Sequence, residues 1–257
     1  MPSWDPAIYE RYKLYRDRPA LDLLLQIPAD LRPHEVWDLG CGTGEHAALL
    51  ASRHPHAEVH GLDASPDMLA VARRREARVD WRLGDIAAFA PKAAPDLIFT
   101  NAALQWLPDH AALFPHLANL LAPEGVLACQ MPMSFDQAWH VALRDLAAEP
   151  AWRERLASIA GVRAVATPET YYSWLTPLCA EVDIWATTYI HALEGEDPVV
   201  EWMQGTGLRP YLDALSDPVE RAAFLDAYAD VLAQLMPPGA DGRTLLPFPR
   251  LFILARR

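Results

Sequence analysis

The sequence has few cysteines, no long apolar run and no excess of positive charge. Its three cysteines, Cys41, Cys129 and Cys179, stand far apart and form no Cys-x-x-Cys pair. This usage argues against a disulfide framework or a zinc site, and it favours a reducing compartment, which we expect to be the cytoplasm. No uncharged apolar run reaches the length of about 18 residues that a membrane-spanning helix needs. Charged residues throughout positions 1–20 also argue against a signal peptide.

Acidic residues outnumber basic ones, and this limits the kinds of partner. The 34 aspartate and glutamate residues against 22 lysine and arginine residues give a formal net charge of −12. Such a charge argues against nucleic acid or an anionic membrane surface as the main partner. We therefore expect a small-molecule substrate, and an anionic substrate would need cations placed locally. A length of 257 residues with 52% hydrophobic residues predicts one well-cored domain, which we expect to be a monomer.

The strongest motif is a short apolar strand followed by a glycine-rich turn. The strand is predicted at residues 35–39, and glycines follow it at alternate positions, Gly40, Gly42 and Gly44. A helix-forming stretch comes next, so the turn opens a helix N-terminus, as in nucleotide-binding α/β folds. The spacing differs from that of dinucleotide-binding proteins, and the carboxylate of Asp38 would repel a pyrophosphate. The pattern therefore favours a cationic ligand, and the alternative is a glycine turn without a ligand.

Acidic residues follow the next two predicted strands. Asp63 closes the strand at residues 58–63, about 20 residues beyond the glycine turn, where nucleotide-binding folds place a carboxylate on the ribose hydroxyls. Asp85 follows the third predicted strand, at residues 79–83. It either accepts a hydrogen bond from an adenine amino group, with Ile86 beside the ring, or is a solvated loop residue. Met68 either lines the adenine pocket or packs in the core.

The rest of the chain predicts an open α/β sheet with helical insertions. Apolar runs predict further strands, at residues 95–101, 126–131, 181–190 and 245–255. Residues 132–178 and 195–244 are expected to form helical insertions that lie above the crevice as a substrate cap. In the second insertion, Asp217 is expected to begin a helix with Glu220 as its capping partner. Residues 1–34, with an apolar helix predicted at residues 21–27, either fold over the ligand pocket as lid helices or form a surface helix with aromatic packing.

Stretches throughout the chain carry a resemblance to a known family. They are Ser3–Pro6, Arg18–Ala20, Asp38–Gly44, Leu104–His110, Leu113–Leu117, Gln130–Pro132, Glu181–Trp185, Thr206–Pro210 and Phe248–Phe252. By these stretches the chain resembles the trans-aconitate methyltransferases, within the class I S-adenosylmethionine-dependent methyltransferases. The glycine turn is specific only to the larger class, whereas the later stretches are specific to the family. Glu45 and His46 depart from the family pattern after the turn, and so do residues 133–139 on the substrate side.

The resemblance implies methyl transfer from S-adenosylmethionine to a carboxylate of trans-aconitate, giving a monomethyl ester. It also implies a Rossmann-like sheet, mostly parallel with an antiparallel last strand, and helices on both faces. The motifs and the resemblance together predict a set of cofactor-binding residues, which are Arg18, Asp38, Gly40, Gly42, Gly44, Asp63, Ala64, Met68, Asp85, Ile86 and Asn101.

A carboxylate acceptor sets simple chemical requirements. It is already ionised at neutral pH, so no general base is needed and catalysis rests on positioning. We therefore expect no catalytic acid or base and no metal site, because the nine histidines form no metal-like cluster in the sequence. Guanidinium groups bind carboxylates in a bidentate manner, although an arginine in an apolar stretch is alternatively held in a structural ion pair. The predicted substrate-binding residues are Gln105, Trp106, Tyr171, Tyr172, Arg209 and Arg250.

Three other functions remain open on these residues. The chain is alternatively a methyltransferase for another small acid, a phenol or an amine. A nicotinamide-dependent enzyme is disfavoured by the glycine spacing and by Asp38. A protein that binds S-adenosylmethionine without transferring its methyl group fits the same motifs.

Overall fold

Seven strands form one sheet in the structure, a computed structural model that describes residues 13–160, 165–205 and 207–257. The strands are β1 (Glu35–Leu39), β2 (Glu58–Asp63), β3 (Asp80–Leu83), β4 (Leu97–Asn101), β5 (Val126–Pro132), β6 (Glu181–Leu193) and β7 (Thr244–Arg256). Their order across the sheet is β3-β2-β1-β4-β5-β7-β6. The predicted Rossmann-like α/β fold is therefore confirmed.

The helices of the described residues connect and flank these strands. They are α1 (Lys13–Gln26), α2 (Glu45–Arg53), α3 (Pro66–Ala72), α4 (His110–Leu120), α5 (Ala138–Ala148), α6 (Arg153–Ala160), α7 (Pro168–Leu175), α8 (Pro198–Gln204), α9 (Arg209–Ala214) and α10 (Pro218–Leu235). Short 3-10 turns at Ile86–Ala88 and Leu104–Trp106 follow β3 and β4.

Strand pairing creates a crevice between β1 and β4. The neighbouring strands from β3 to β5 pair in parallel, and β7 runs antiparallel to β5, as predicted for the last strand. The strand order reverses between β1 and β4, because the chain builds outward through β2 and β3 before β4 joins the other side of β1. In open α/β sheets ligands bind at such a reversal, outside the carboxyl ends of the strands.

One compact unit contains β1 to β5 and comprises Arg18–Pro132, Ala164–Thr187 and Arg250–Arg257. Its central strands are almost wholly apolar and buried, as expected for parallel strands that are covered on both faces. Helix α7 belongs to this unit, since the ring of Tyr171 packs on that of Phe114 in α4, with centroids 4.6 Å apart. The predicted insertion at residues 132–178 had included this helix.

The other compact unit consists of the described parts of Met1–Asp17, Met133–Arg163 and Thr188–Pro249. Its core is rich in aromatic side chains, among them Trp139, Trp202 and Tyr228, each buried to 1% exposure or less. The hydroxyl of Tyr228 donates to the carbonyl of Trp139 at 2.7 Å, and the indole N–H of Trp139 donates to the carbonyl of Pro247 at 3.2 Å. These bonds satisfy polar groups that would be costly to bury unpaired.

Two local predictions differ from the structure. The N-terminal helix, expected over residues 21–27, already begins at Lys13, while residues 1–12 of the predicted lid lie outside the described residues. Glu220 was expected to bond back to the start of α10, but its carboxylate pairs with Arg155 instead. Asp217 caps α10 by accepting from the N–H of Val219 at 2.9 Å. Within the described ranges, every helix is too short or too polar to cross a membrane.

Candidate functional site

The glycine turn lies against the loop that follows β4. All three glycines have positive φ angles, of 76°, 55° and 81°. A Cβ atom on Gly40 would lie 2.3 Å from the Cβ of Ala103, so only glycine fits beside that loop. The backbone N–H groups of Gly40 and Cys41 donate to the carbonyl of Leu62 at 2.8 and 3.0 Å. These two bonds fasten the turn to the end of β2.

Gly44 ends the turn and begins α2 in a left-handed conformation, without a side-chain cap. A Cβ atom on Gly44 would lie 2.4 Å from the ring of Trp81, and one on Gly61 would lie 2.6 Å from the same ring. Trp81 therefore fills the space beside both glycines. It was not a predicted site residue, because the contact follows from the pairing of Gly61 with Trp81 across two strands.

Arg75 also supports the turn and was not predicted to do so. Its guanidinium donates to the carbonyl of Thr43 and pairs with the carboxylate of Glu45 at 3.0 Å. The pair ties the glycine turn to the first residue of α2. Glu45, which departs from the family pattern, thus has a partner that the sequence around it does not indicate.

Asp63 joins the glycine turn to α3. Its Oδ2 accepts from the N–H of Gly42 and its Oδ1 from the N–H of Ser65, both at 2.8 Å. Ser65 caps α3 by accepting from the N–H of Met68 at 3.3 Å. Because a carboxylate oxygen can accept more than one hydrogen bond, Asp63 retains the capacity to bind two ligand hydroxyls. Next to it, Ala64 is exposed and Met68 is half-buried.

Asp38 is a buried carboxylate with one unused oxygen. The residue is 1% exposed, and its Oδ2 has no hydrogen-bond partner among the described residues. Burial, followed by the charge of Asp63, raises the pKa of Asp38 to about 8, although the N–H of Ala47 opposes the shift. A cation within reach of Oδ2 would stabilise the ionised form. This end of the crevice therefore suits a ligand that carries positive charge close to its ribose.

The end of β3 contributes one exposed and one buried residue. Asp85 is exposed, and its Oδ1 accepts from the N–H of Ala87 at 2.9 Å to begin the turn at Ile86–Ala88. Ile86 is buried, with its Cδ1 3.5 Å from where a Cβ on Gly40 would lie. Ile86 therefore lies beside the glycine turn, while the roles of Asp85 and Ile86 at an adenine ring stay predictions.

The loop after β4 forms the other side of the crevice. Asn101 Oδ1 and Gln105 Oε1 are buried, and neither has a hydrogen-bond partner in the described part of the chain. Between them Ala102 has a positive φ of 53°. Its N–H donates to the carbonyl of Gln130 at 2.9 Å, and its carbonyl accepts from the Gln105 amide at 2.7 Å. Strained backbone of this kind is common where a loop presents groups to a ligand.

The three predicted aromatic substrate residues differ sharply in exposure. Trp106 and Tyr172 are 57% and 53% exposed, whereas Tyr171 is fully buried. The hydroxyl of Tyr171 lies 2.6 Å from Nδ1 of His110 and accepts from the N–H of Ala166 at 3.1 Å. Burial raises the pKa of Tyr171, so the hydroxyl stays protonated. Tyr171 therefore packs in the core between α7, to which it belongs, and α4, and it does not line the open crevice.

His110 explains why Tyr171 is held in the core. It is the first residue of α4 but only 3% exposed. Its Nε2 lies 2.8 Å from the carbonyl of Leu104 and must carry the ring proton, because a carbonyl only accepts. Burial lowers the pKa of His110, so the ring is neutral and its Nδ1 accepts from Tyr171.

The predicted arginines lie in different parts of the chain. Arg250 is 5% exposed and stands on β7 opposite Pro132, at the end of β5. Arg18, in α1, has a 74% exposed side chain whose Nε is 4.0 Å from Asp22. Arg209 is half-buried at the start of α9, in the other compact unit. Of the two arginines predicted for the substrate, Arg250 is therefore the one beside the crevice strands.

A histidine and two glutamates lie close together at the amino ends of β1 and β2. The ligand atoms of Glu35, Glu58 and His60 are all within 4.8 Å of one another. Sequence patterns did not predict this group, because its members come together only when β1 and β2 pair. His60 lies between Glu35 at 3.2 Å and Asp80 at 3.3 Å, and the indole N–H of Trp37 donates to Glu35 at 2.8 Å. The group is a polar cluster at the end of the strands opposite the crevice.

Comparisons with known proteins identify methyltransferases as relatives of the chain. Residues 36–125 match the family model described as a methyltransferase domain. A trans-aconitate 2-methyltransferase of Methylobacterium nodulans is 50% identical over 258 residues, which cover 100% of this chain and 99% of the relative. The protein of the same name from Azoarcus is 44% identical and is covered over 100% of both chains.

Solved structures show a similar fold at low sequence identity. The YcgJ protein of Bacillus subtilis has a TM-score of 0.60 at 16% identity, over 93% of this chain and 98% of its own. A Haemonchus contortus phosphoethanolamine N-methyltransferase, in complex with S-adenosyl-L-methionine, has a TM-score of 0.54 at 17% identity, over 93% of this chain and 52% of its own. At these identities the likeness concerns the fold alone.

Proposed function

We propose, because the chain belongs to the trans-aconitate 2-methyltransferase family, that it transfers a methyl group from S-adenosylmethionine to a carboxylate of trans-aconitate. The observation that carries the proposal is identity of 44–50% along the whole chain. A shared cofactor fold alone would account for a match over residues 36–125. Relatives that match from end to end also share the second compact unit, where substrate-specific residues are expected.

The residues at the carboxyl ends of β1 and β2 fit the cofactor. Asp63 would hold the ribose hydroxyls with the oxygens that already fix Gly42 and Ser65. Asp38, whose Oδ2 has no partner among the described residues, would face the methionine end with its α-ammonium group. Gly40 would keep the turn close to Ala103, where a side chain would not fit. When bound, S-adenosylmethionine supplies a methyl group on a positively charged sulfur.

Transfer to a carboxylate requires no proton movement. An acid with an ordinary pKa near 4 is ionised at neutral pH. One carboxylate oxygen forms a bond to the methyl carbon, and the electrons of the carbon–sulfur bond remain on sulfur, so an ester and S-adenosylhomocysteine result. The chain must hold oxygen, carbon and sulfur in line and exclude water, and such positioning supplies about 7–11 kcal/mol. Buried oxygens at Asn101 and Gln105 and the strained Ala102 shape this part of the site.

A panel of acceptors tests the proposed function. The protein is incubated with methyl-labelled S-adenosylmethionine and with trans-aconitate, other small carboxylic acids, a phenol and an amine. We expect label in a base-labile monomethyl ester of trans-aconitate, with a higher kcat/KM than for any other acceptor. Label confined to a different acid would correct the substrate, and label in the phenol or the amine would indicate a different reaction. Binding of the cofactor without transfer to any acceptor would indicate a non-catalytic protein.

Cofactor affinity should rise with pH up to about 8, because Asp38 is protonated below that pH in the free protein. Pairing with an α-ammonium group requires the ionised carboxylate, so binding must displace the proton. We expect the Kd of S-adenosylhomocysteine to fall by about tenfold for each pH unit between about pH 6 and 8. Calorimetry in buffers of different ionisation enthalpy should also detect one released proton.

Asp38→Asn is the control for this prediction. The amide cannot ionise, so the variant should bind S-adenosylhomocysteine more weakly and with the same Kd across the pH range. An equal affinity at about pH 6 and 8 in the unsubstituted protein would show that Asp38 is already ionised in the free protein or does not pair with the cofactor. Equal affinities of Asp38→Asn and the unsubstituted protein at about pH 8 would show that Asp38 does not pair with the cofactor.

A further inference from the structure

Gln130 is a buried amide with no internal hydrogen-bond partner. It is 1% exposed, and both Nε2 and Oε1 lack a partner among the described residues. An amide in this state loses its bonds to water without replacement, which is unfavourable unless a ligand supplies them. Core residues of the same size without polar atoms, such as methionine, would avoid this loss. The N–H group of the amide therefore requires an acceptor oxygen from a bound molecule.

Strand register puts Gln130 on the crevice face of the sheet. Gln130 pairs with Asn101, and Phe99, two residues earlier on β4, pairs with Asp38. Since residues two apart on a strand share a face, Asp38, Asn101 and Gln130 all lie on one face. They form a row across the carboxyl ends of β1, β4 and β5. The backbone of Gln130 is also fixed there, because its carbonyl accepts from the N–H of Ala102.

On its other side β5 pairs with β7, and this strand places an arginine on the same face of the sheet as Gln130. Gln130 pairs with Phe252 and Pro132 pairs with Arg250, so Arg250 is the diagonal neighbour of Gln130. Diagonal neighbours on adjacent strands are within reach of long side chains. An amide N–H group and a guanidinium group, both buried, are together suited to bind a carboxylate.

The distance across the sheet separates this pair from the cofactor groups. Adjacent strands lie about 4.8 Å apart, so β5 is roughly 14 Å from β2, where Asp63 would hold the ribose. Asp63, Asp38 and Asn101 stand on β2, β1 and β4. With the cofactor placed as proposed above, they would follow it from ribose to methionine. The next position in that row, on β5, would then face the space beyond the methyl group, where the acceptor would bind.

We infer that Gln130 is a specificity-determining residue, whose amide N–H group donates to a carboxylate of the methyl acceptor beside Arg250. The inference rests on the proposed function, because it assigns the residue to an acid acceptor. The Oε1 atom of Gln130 disfavours a second anionic oxygen at the same point. The residue therefore orients the acid by one oxygen, and the preference for a carboxylate over a neutral acceptor comes from the guanidinium group of Arg250 beside it.

Gln130→Met tests this role because it removes the amide at nearly constant volume. We expect KM for trans-aconitate to rise by about tenfold or more, while the Kd of S-adenosylhomocysteine stays within about twofold. The melting temperature should stay the same or rise, because no internal bond is lost and a buried polar group is removed. A residue needed only for packing would change the melting temperature without changing KM.

Thr100→Val is the matched control. Thr100 precedes Asn101 on β4, is fully buried, and has a hydroxyl without a hydrogen-bond partner in the described residues. Its position in the strand turns it to the opposite face of the sheet. The valine variant should therefore keep KM, whatever happens to its melting temperature.

The outcomes separate this inference from the proposed function. If the unsubstituted protein methylates trans-aconitate and Gln130→Met keeps the same KM, the role of Gln130 is wrong and the function stands. A large loss of S-adenosylhomocysteine affinity with unchanged KM would assign Gln130 to the cofactor and also overturn the inference. If another carboxylic acid is the acceptor, the proposed substrate is wrong, and the same comparison of KM is made with that acid. Transfer only to a phenol or an amine would overturn both.

Discussion

Asp63→Ala should weaken S-adenosylmethionine binding by about 1.5–3 kcal/mol, the usual range for hydrogen bonds to a charged group. The carboxylate has two tasks. It would bind the ribose hydroxyls, and it already fixes the N–H groups of Gly42 and Ser65. Its loss therefore removes ligand bonds and also frees the glycine turn. Isothermal calorimetry with S-adenosylhomocysteine measures the change.

Asp96→Ala is the matched control for Asp63→Ala. The Oδ2 of Asp96 accepts from the N–H groups of His34 and Glu35 at 2.7 and 2.9 Å, so this carboxylate also holds two backbone donors. It does so at the start of β1, at the edge opposite the crevice. Both variants should lower the melting temperature, but only Asp63→Ala should lower cofactor affinity. Unchanged affinity in a folded Asp63→Ala protein would remove Asp63 from the cofactor site.

Arg250→Ala should raise KM for trans-aconitate by about tenfold or more, equivalent to about 1.5–3 kcal/mol for a lost charged hydrogen bond. The overall charge of −12 repels a tricarboxylate. Salt at physiological concentration screens this repulsion over a length of about 8 Å, which weakens it but does not remove it. Affinity must therefore come from short-range cations. Arg250 is 5% exposed on β7, at the end of β5. Arg250→Lys should recover only part of the loss, since an ammonium group cannot form the bidentate pair.

Arg256→Ala is the control on the same strand. Arg256 shares the face of Arg250 but stands at the other end of β7, opposite Val126, and its guanidinium pairs with Asp30 and Glu124. Its loss should leave KM and cofactor affinity unchanged. The same substitution at Arg209, in the other compact unit, is expected to raise KM as well. If Arg250→Ala and Arg209→Ala both show unchanged kinetics, the anion is bound elsewhere, and Arg18 is the next residue to replace.

Local sequence patterns predicted the central strands well because these strands are buried, mostly apolar runs. The bounds of β1 and β2 agree with those expected at residues 35–39 and 58–63. Strand β3 begins one residue later than expected and is mostly exposed, since it lies at the edge of the sheet. The polar residues that follow these strands could also be predicted to lie near one another, because parallel strands bring their carboxyl ends to one side of the sheet.

Local sequence patterns could not predict contacts between distant parts of the chain. Tyr171 was predicted to bind substrate, yet its hydroxyl pairs with His110, some sixty positions earlier. Arg75 pairs with Glu45, and His60 lies between Glu35 and Asp80, in each case through the folding of separate segments. Gln130 belonged to a family stretch, but its lack of an internal partner becomes visible only when all its neighbours are known.

The ring of Trp81 restricts which residues can replace the two glycines beside it. A side chain on Gly44 or Gly61 would overlap this ring by more than any small adjustment can relieve. A mutation at Gly61 is therefore tolerated only if the tryptophan becomes smaller, while a smaller residue at position 81 opens a void that favours larger neighbours. At Gly44 the φ of 81° also strains any other residue, so a smaller residue at position 81 would not be enough there. Positions 61 and 81 should therefore change together during divergence, or not at all. A strand residue outside the glycine motif thus constrains how that motif can evolve.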